Sequence, residues 1–279
     1  MKIVFDSGST KTACALIGDT VVYTPPMRGH NAMTARDGDL YSMISTEKTL
    51  TEVRISTESV HFYGAGCATP QAIGRVREEL IRMFPNAGIS VESDMTGAAR
   101  SLCGHTPGIA CILGTGSNSC LWDGQRITAN IPPLGFIIGD EGSGAVIGKV
   151  FLEHLLKGML PKEIREDFQD RHGLTTADII TRIYRGDRPS AFLASFAPFI
   201  REWTDKEEAV ACMVENELER FLIFNVERYP GAHDIPVSFT GSIARHFDRQ
   251  LRAAMDRRGL LHGKTESDPL PGMVKWIAG

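Results

Sequence analysis

The feature that most constrains the fold of this chain is a strand–loop–strand pattern that the sequence contains twice. In the first copy, the apolar run 3–5 leads through the polar loop 6–12 to a second apolar run, 13–17. An acid at a strand end, followed by glycine, hydroxyl and lysine side chains, suits a phosphate group and its Mg²⁺. Backbone N–H groups and hydroxyls can face phosphate oxygens, and a carboxylate can hold the hydrated metal. A tight hairpin with a solvated aspartate explains the same residues equally well.

The second copy strengthens the phosphate interpretation. The apolar run 109–113 leads through the loop 114–118 to a further strand pattern, which Asp123-Gly124 closes as a hairpin. In the first copy, Gly18-Asp19 takes the place of that turn. The loop lengths differ, so the two copies share a plan rather than a repeated sequence. Two such loops facing each other would hold a phosphate chain from both sides.

Size and charge exclude some classes of protein. At 279 residues the chain has room for one large or two medium domains. The net charge is −4, and no basic run is longer than Arg257-Arg258. Phosphate contacts to nucleic acid need clustered lysines and arginines, so we expect no nucleic-acid partner.

Hydropathy and cysteine usage indicate the compartment. No apolar run approaches the ~20 residues needed to span a bilayer, and no signal-peptide core precedes the first strand pattern. The six cysteines form no Cys-x-x-Cys pair, so we expect neither a zinc site nor a disulfide framework. The sequence predicts a cytoplasmic protein with no membrane partner.

The first part of the chain alternates between strand and helix patterns. Thr69-Pro70 is typical of a helix N-cap followed by proline at the first helical position. The predicted strands are 53–55, 60–63 and 89–92, and the predicted helices are 70–84 and 94 to about 104. Such alternation indicates an α/β sheet.

Beyond Gly142 the pattern becomes mostly helical. Apolar residues recur at helical spacing from Phe151 to Met159 and again over 210–226. A last strand, 236–240, leads into a further helix.

This organisation predicts two domains, each beginning with its own hairpin. We expect them to comprise residues 1–104 and 105–265. A C-terminal tail of about 266–279 can pack back on the first.

Two glycine-containing segments resemble nucleotide motifs but have the wrong spacing. Gly263-Lys264-Thr265 has the ending of a Walker A motif, but the position five before Gly263 is Arg258 rather than glycine. Gly64-Ala65-Gly66 follows a strand pattern as in a dinucleotide fingerprint, but Thr69 occupies the place of the third glycine. The spacing argues against both a P-loop and a Rossmann site.

Asp94 lies between a predicted strand and a predicted helix and has two interpretations. As a helix N-cap, its carboxylate would bind backbone N–H groups. As a general base, it would stay exposed at the carboxyl edge of the sheet, where α/β proteins bind ligands. The two roles conflict, and the residues alone favour the cap.

Three further segments have both functional and structural interpretations. Asp140-Glu141 lies between glycines that allow a ligand close to the backbone, which favours a site, although acids also stabilise a helix N-terminus. His30-Asn31 carries polar donors and fits an ordinary surface turn equally well. Gly241-Ser242-Ile243, with Arg245 nearby, fits a base pocket or a plain strand-to-helix turn.

Together these segments resemble the N-acetylglucosamine kinase and BadF/BadG/BcrA/BcrD ATPase family, in the actin-like ATPase superfamily. The matching segments, in order, are 6–12, Asp94, Leu-Gly-Thr-Gly-Ser at 113–117, Gly-Asp-Glu-Gly-Ser-Gly at 139–144 and Gly241-Ser242-Ile243. The resemblance extends to residues 269–274. Many members begin with Asp-Gly-Gly-Gly-Thr-Lys-Thr, and Ser7 and Ser9 replace two of those glycines here.

The resemblance implies a fold and a set of site residues. The fold would be α/β, with two actin-like (ribonuclease H-like) domains and ATP in an interdomain cleft. Asp94 matches the family's catalytic base, and Asp6 would lie near Mg²⁺, binding it through water. The implied ATP-binding residues are Ser7, Gly8, Ser9, Thr10, Lys11, Thr12, Gly114, Thr115, Gly116, Ser117, Gly241, Ser242 and Ile243. The implied sugar contacts are Asn31, Asp94, Thr115, Gly116, Asp140 and Glu141.

The implied activity is phosphoryl transfer from MgATP to a hydroxyl of an amino sugar, N-acetylglucosamine or glucosamine. Two alternatives stay open. One is an ATPase coupled to a reductase or dehydratase through an iron–sulfur cluster held by cysteines, and the other is a non-catalytic sensor of sugar or nucleotide. The expected partner is a small sugar, and a homodimer is one option for assembly.

Overall fold

The computed structural model describes residues 1–279 and divides into two compact units. Unit 1 comprises Met1–Thr106, Gly124–Ile127 and Asp268–Gly279. Unit 2 comprises Pro107–Asp123 and Thr128–Ser267. Each unit contains a mixed sheet and helices, so the predicted α/β class is confirmed.

The chain forms eleven strands and fourteen α-helices, numbered in chain order. The strands are β1 (Lys2–Ser7), β2 (Lys11–Ile17), β3 (Val21–Tyr23), β4 (Met27–Arg28), β5 (Ser59–Gly64), β6 (Gly88–Ser93), β7 (Gly108–Leu113), β8 (Ser117–Trp122), β9 (Ile127–Ile131), β10 (Val237–Thr240) and β11 (His262–Glu266). The first seven helices are α1 (Asp39–Ser45), α2 (Lys48–Val53), α3 (Pro70–Met83), α4 (Asp94–Cys103), α5 (Gly135–Ile138), α6 (Gly144–Leu156) and α7 (Lys162–His172). The remaining helices are α8 (Thr176–Arg185), α9 (Pro189–Ala194), α10 (Ala197–Thr204), α11 (Glu208–Phe221), α12 (Ser242–His246), α13 (Asp248–Arg258) and α14 (Leu270–Ala278). A π-helix, Leu222–Val226, continues α11 directly.

The sheet of unit 1 has the order β3-β2-β1-β5-β6, and β4 pairs with β2. Strand β1 is antiparallel to β2 and parallel to β5, which is parallel to β6. The carboxyl ends of β1, β5 and β6 therefore meet at one edge. Both faces of the sheet are buried, because Ile3 and Phe5 pack in one core cluster while Val4 packs with Met273 of α14 in another.

The sheet of unit 2 has the order β11-β10-β7-β8-β9. Strand β7 is antiparallel to β8 and parallel to β10, which is parallel to β11. One large core cluster joins this sheet to the helical part of the unit, from Ile109 and Leu113 on β7 to Phe151 on α6 and Phe221 on α11. None of the helices in either unit combines the length and the apolar character needed to cross a bilayer.

Two predictions about elements are wrong. Residues 53–55 are not a strand, since Val53 ends α2, whose N-terminus is capped by the Glu47 side chain. Leu50 is fully buried on that short helix, so burial of one apolar face overrides the local strand pattern. Helix α6 ends at Leu156, and Met159, which the spacing placed on the helix, is 62% exposed.

Both predicted phosphate loops are shorter than the sequence indicates. Asp6 and Ser7 belong to β1, and Lys11 and Thr12 belong to β2, because the ladder extends to the pair Ser7↔Thr12. Likewise β8 begins at Ser117, which pairs with Leu113. The connecting turns are residues 8–10 and 114–116.

Strand β11 was not predicted, and it contains the segment that imitates a P-loop. Gly263-Lys264-Thr265 lies within β11 and pairs alongside β10, with an irregular register between Val237 and Phe239. Lys264 N donates a hydrogen bond to Ser238 Oγ at 3.1 Å. The segment is therefore part of the sheet, in agreement with the missing Walker A spacing.

Candidate active site

Turn 8–10 is a tight connection between β1 and β2. Gly8 N donates to Lys11 O at 2.9 Å, and His30 N donates to Gly8 O at 3.1 Å. The hydroxyls of Ser7 and Thr12 lie 2.8 Å apart, and Ser7 Oγ donates to His30 O at 3.1 Å. Both hydroxyl side chains are fully buried. Of the residues predicted to bind phosphate here, Ser9, Thr10 and Lys11 are exposed, whereas Ser7 and Thr12 brace the turn from inside.

The segment carrying Asn31 packs directly on this turn. Gly29 N donates to Thr10 O at 3.0 Å. Asn31 Nδ2 donates to Ser9 Oγ at 3.0 Å, and Asn31 Oδ1 accepts from Met33 N at 3.0 Å. The predicted sugar-contacting residue is thus joined by a side-chain hydrogen bond to the predicted phosphate turn, at one of the two serines that replace family glycines.

The Gly64-Ala65-Gly66 segment supports the same site. Ala32 N donates to Ala65 O at 2.9 Å, and Arg75 Nη2 donates to Ala32 O at 2.6 Å. Gly66 has a φ of +77°, and a Cβ there would overlap Asn31 Oδ1. Glycine is required at this position because the Asn31 segment approaches the backbone closely, which explains the motif without a dinucleotide.

Asp6 and Asp94 lie at the shared carboxyl edge of the unit 1 sheet. Asp6 is the penultimate residue of β1, and Asp94 follows β6 directly. Ser93, not Asp94, is the N-cap of α4, since its hydroxyl accepts from Thr96 N at 3.2 Å. The interpretation of Asp94 as the cap is therefore wrong. Its Oδ1 accepts a hydrogen bond from Met95 N at 2.9 Å, and the residue as a whole is half-buried.

The two carboxyl groups have raised pKa values. Burial is the largest cause for Asp6, and the charges of Asp94 and Asp268 add to it, so that the pKa of Asp6 rises to about 7 despite the opposing charge of Lys11. Burial also raises the pKa of Asp94, against the hydrogen bonds from the Met95 N–H and its own N–H. Perturbed carboxyl groups together at a sheet edge mark a functional-site candidate.

The sequence did not predict Asp268 as a neighbour of this acidic pair. It precedes α14, and its Oδ1 accepts a hydrogen bond from Leu270 N at 3.0 Å. The available signal was an acid just before a helix, and a helix start explains that signal by itself. No group of three or more His, Cys, Asp or Glu side chains is arranged to hold a metal ion.

In unit 2, turn 114–116 is held by the first turn of α6. Gly144 N donates to Gly114 O at 2.8 Å, and Ala145 N donates to Thr115 O at 3.1 Å. Ser143 is the N-cap, and its hydroxyl accepts from Val146 N at 3.2 Å. The predicted second phosphate turn is therefore fixed to a helix start.

Asp140 is the one non-glycine residue with a positive φ, +56°. Its carboxylate accepts hydrogen bonds from the backbone N–H groups of Ser117 and Gly135, while burial raises its pKa. Its Oδ2 lies 2.9 Å from where a Cβ on Gly116 would be. A left-handed backbone at a non-glycine residue is uncommon and clusters at functional sites. The structure thus brings together Asp140 and the turn predicted to contact both sugar and phosphate.

Gly241 also approaches this turn. Its φ is +109°, and a Cβ there would overlap Leu113 O, so only glycine fits. Ser242 is exposed at the start of α12. Ile243 is 2% exposed and packs in the core of unit 2. The predicted adenosine-bordering segment thus contains an exposed hydroxyl beside a core residue.

Glu141 has a partner that the sequence did not predict. Asn225 Nδ2 donates to Glu141 Oε2 at 3.2 Å from the π-helix. Asn225 is only 8% exposed. The available signal was its position, because it interrupts the buried stripe that includes Phe221, Leu222 and Val226. A buried polar residue on an apolar stripe is more informative than the apolar residues around it.

Among the solved structures similar to this chain is one of high sequence identity. A provisionally named N-acetylglucosamine kinase from Porphyromonas gingivalis is 42% identical, with a TM-score of 0.94 over 99% of this chain and 98% of that one. This chain belongs to the N-acetylglucosamine kinase family. The resemblance inferred from its motifs is thereby confirmed.

Other structures share the fold of this N-acetylglucosamine kinase family member at low identity. A second provisionally named N-acetylglucosamine kinase, from Chromobacterium violaceum, is 16% identical with a TM-score of 0.68, over 99% of this chain and 98% of that one. A ROK family glucokinase from Streptomyces griseus, in complex with glucose and AMPPNP, is 14% identical with a TM-score of 0.53 over the same shares. No family model and no curated protein matches the chain.

Proposed function

We propose that this protein is an ATP-dependent carbohydrate kinase that phosphorylates an amino sugar, N-acetylglucosamine or glucosamine. The class of activity follows from membership of a kinase family, and the acceptor is the finer proposal. The observation that carries the proposed phosphoryl transfer is the position of Asp94. Ser93 caps α4 in its place, so the Asp94 carboxylate stays at the sheet edge, in the same unit as the braced turn 8–10 and the Asn31 segment.

ATP is the proposed phosphoryl donor. The proposed contacts to ATP are turn 8–10, turn 114–116 and the segment beginning at Gly241. A glucokinase of the same fold carries the ATP analogue AMPPNP, which supports this choice. The bracing of both turns suits phosphoryl transfer, in which catalysis is mostly positioning and charge stabilisation.

Mg²⁺ is the proposed metal, and the residues of unit 1 fit it. Mg²⁺ usually keeps several waters and is bound through one or two carboxylates and the substrate phosphates, rather than by an all-protein cage. Asp6, a carboxyl group at the edge of the sheet beside turn 8–10, matches that donor set. When bound, the ion would neutralise phosphate charge.

In the proposed reaction, the sugar hydroxyl oxygen attacks the γ-phosphorus of ATP, and ADP leaves. The Asp94 carboxylate accepts the hydroxyl proton, and its raised pKa brings it closer to the pH at which a general base works best. Asn31, Asp140 and Glu141 are the proposed groups that orient the sugar. Such positioning lowers the entropic part of the barrier.

The test is an ADP-release assay over amino sugars, N-acetyl sugars and plain hexoses, with Mg²⁺ present. We expect ADP release that depends on sugar and is fastest with N-acetylglucosamine or glucosamine. ADP release at the same rate without any sugar would instead indicate a coupled ATPase. Tight sugar or nucleotide binding without ADP release over the whole panel would indicate a sensor.

A further inference from the structure

The π-helix at Leu222–Val226 brings a polar side chain into the interior of unit 2. It follows α11 without a break, and Asn225 is 8% exposed while the preceding Phe224 is 50% exposed. A single turn of π-helix within an α-helix is rare, and such turns are frequent at functional sites. Here the side chain that points inward is an amide, and it lies among the buried apolar residues Phe221, Leu222 and Val226.

The amide of Asn225 meets one of the proposed sugar-binding acids. Asn225 Nδ2 donates to Glu141 Oε2 at 3.2 Å. Hydrogen bonds to an ionised acceptor are stronger than neutral ones. Glu141 lies in the short connection between α5 and α6. A hydrogen bond to Asn225 on a packed helix therefore limits the directions in which its carboxylate can point.

Asn225 is itself anchored by a buried chain of hydrogen bonds. Ser119 Oγ donates to Asn225 O at 2.9 Å and lies 2.8 Å from Tyr229 Oη. Tyr229 Oη in turn accepts from Ile131 N at 3.0 Å. Ser119 is fully buried and Tyr229 is 3% exposed. The chain ties the π-helix to β8 and β9 and holds Asn225 in place behind Glu141.

We infer that Asn225 is a positioning residue that orients Glu141 for binding the sugar. The inference rests on the proposed function, since it assigns Glu141 to a sugar hydroxyl. The Asn225 amide holds one oxygen of the carboxylate, and the inference assigns the other oxygen to a sugar hydroxyl. Asn225 itself does not touch the substrate.

The test is a double-mutant cycle between Asn225→Leu and Glu141→Ala. Leucine has the same number and branching of side-chain heavy atoms as asparagine and removes the donor. We expect N225L to raise the sugar KM about tenfold, as loss of a hydrogen bond to a charged group does, while the ATP KM changes less than about twofold. In the E141A background the same N225L change should have little further effect, because alanine leaves no acceptor for the Asn225 amide.

The control is Val214→Ala, which opens a small cavity on the same helical stripe of α11. Val214 is fully buried and is not in the Glu141 network. It should lower the melting temperature without a selective rise in the sugar KM. A selective KM rise in V214A as large as that in N225L would overturn the inference, because general loosening of the stripe would then explain both.

Direct sugar binding, measured by calorimetry, separates this inference from the proposed function. If the wild-type protein binds sugar without phosphorylating it, the proposed kinase activity fails, and Asn225 is still judged by the affinity of N225L for that sugar. If the wild-type protein phosphorylates sugar while N225L keeps the normal sugar KM, only the inference fails. Equal effects of N225L in the wild-type and E141A backgrounds would also overturn it.

Discussion

At the scale of single residues, the clearest consequence comes from the capping of α4 by Ser93, which leaves Asp94 available for another role. We expect Asp94→Asn to fold and to bind ATP but to transfer phosphate at least about 10²-fold more slowly, because general-base help is typically worth 10²–10⁴-fold. Initial rates, ATP affinity and a thermal melt measure the three parts of this expectation.

The matched control for that variant is Ser93→Ala. It removes the hydrogen bond to Thr96 N and should cost about 1 kcal/mol of stability. Its turnover should stay within about threefold of the wild type, since such a cap loss leaves the base in place. Near-normal turnover in D94N, or a loss in S93A as deep as in D94N, would remove Asp94 from the role.

A second prediction at this scale concerns the pKa of Asp6, raised to about 7. Between about pH 4 and 7 the unfolded chain has Asp6 ionised while the folded protein keeps it protonated. The unfolded state then binds fewer protons, so stability falls as the pH rises through this window. Without nucleotide or Mg²⁺, we expect Asp6→Asn to be more stable than the wild type by at least about 1 kcal/mol at pH 8.

Urea unfolding of both proteins at several pH values checks this expectation. The difference in unfolding free energy should vanish below about pH 3, where Asp6 is protonated in both states. A constant difference at all pH values would show that the asparagine acts by packing rather than by removing a charge.

At the scale of elements, Gly241 follows β10 and packs against the end of β7, just before turn 114–116. A Cβ at this position would overlap Leu113 O, and the φ is +109°. We therefore expect Gly241→Ala to displace turn 114–116, to lower stability and to raise the ATP KM. Thermal melts and initial rates at varied ATP measure the two effects.

Gly259 provides the control for this substitution. It has a φ of +64° at the end of α13, and a Cβ there would meet nothing within 4 Å. Gly259→Ala should cost roughly 1 kcal/mol for the left-handed backbone alone and leave the ATP KM unchanged. If G241A and G259A behaved alike, the close approach at Gly241 would have no role.

Elements with a strong local pattern were predictable from the sequence. Thr69-Pro70 marks the start of α3, and the apolar runs mark β1, β5 and β7. Strand β11 was not predictable, because its His-Gly-Lys-Thr-Glu sequence has no strand pattern and it forms by pairing with β10. Residues 53–55 show the reverse case, in which tertiary burial of Leu50 favours a helix.

The residues of the candidate site also fall into those that the sequence could predict and those that it could not. Acids and glycines at element ends, such as Asp6, Asp94 and Asp140, were identifiable because their type and position suit ligand chemistry. Asn225 and Asp268 were not, because their roles depend on which distant elements pack against them. The hydrogen bond between Asn31 and Ser9 was hidden for the same reason, since it joins two segments that are separate in the sequence.

At the scale of the whole molecule, the last helix belongs to the unit that contains the first strand. Met273 of α14 is fully buried and packs with Val4 and Tyr63. We expect Met273→Ala to cost about 2–5 kcal/mol, through lost burial and the cavity left behind. Lys275→Ala, an exposed change on the same helix, should stay within about 0.5 kcal/mol.

Chemical denaturation followed by circular dichroism compares these two variants. A small effect of M273A would show that α14 packs loosely on unit 1. An additional test is the two-state character of the transition, because loosening one of two units can separate their unfolding into two steps.

The discontinuity of unit 1 also sets the order in which the protein can mature. Residues 1–106 leave the ribosome first, yet the face of their sheet formed by Val4, Ala13, Ala15 and Tyr63 is covered by α14. That face lacks the cover of α14 until residues 268–279 have been synthesised, after all of unit 2. The nascent first unit therefore exposes apolar surface during this interval, and a nonsense codon between the two segments would remove a helix from a unit encoded mostly upstream of it.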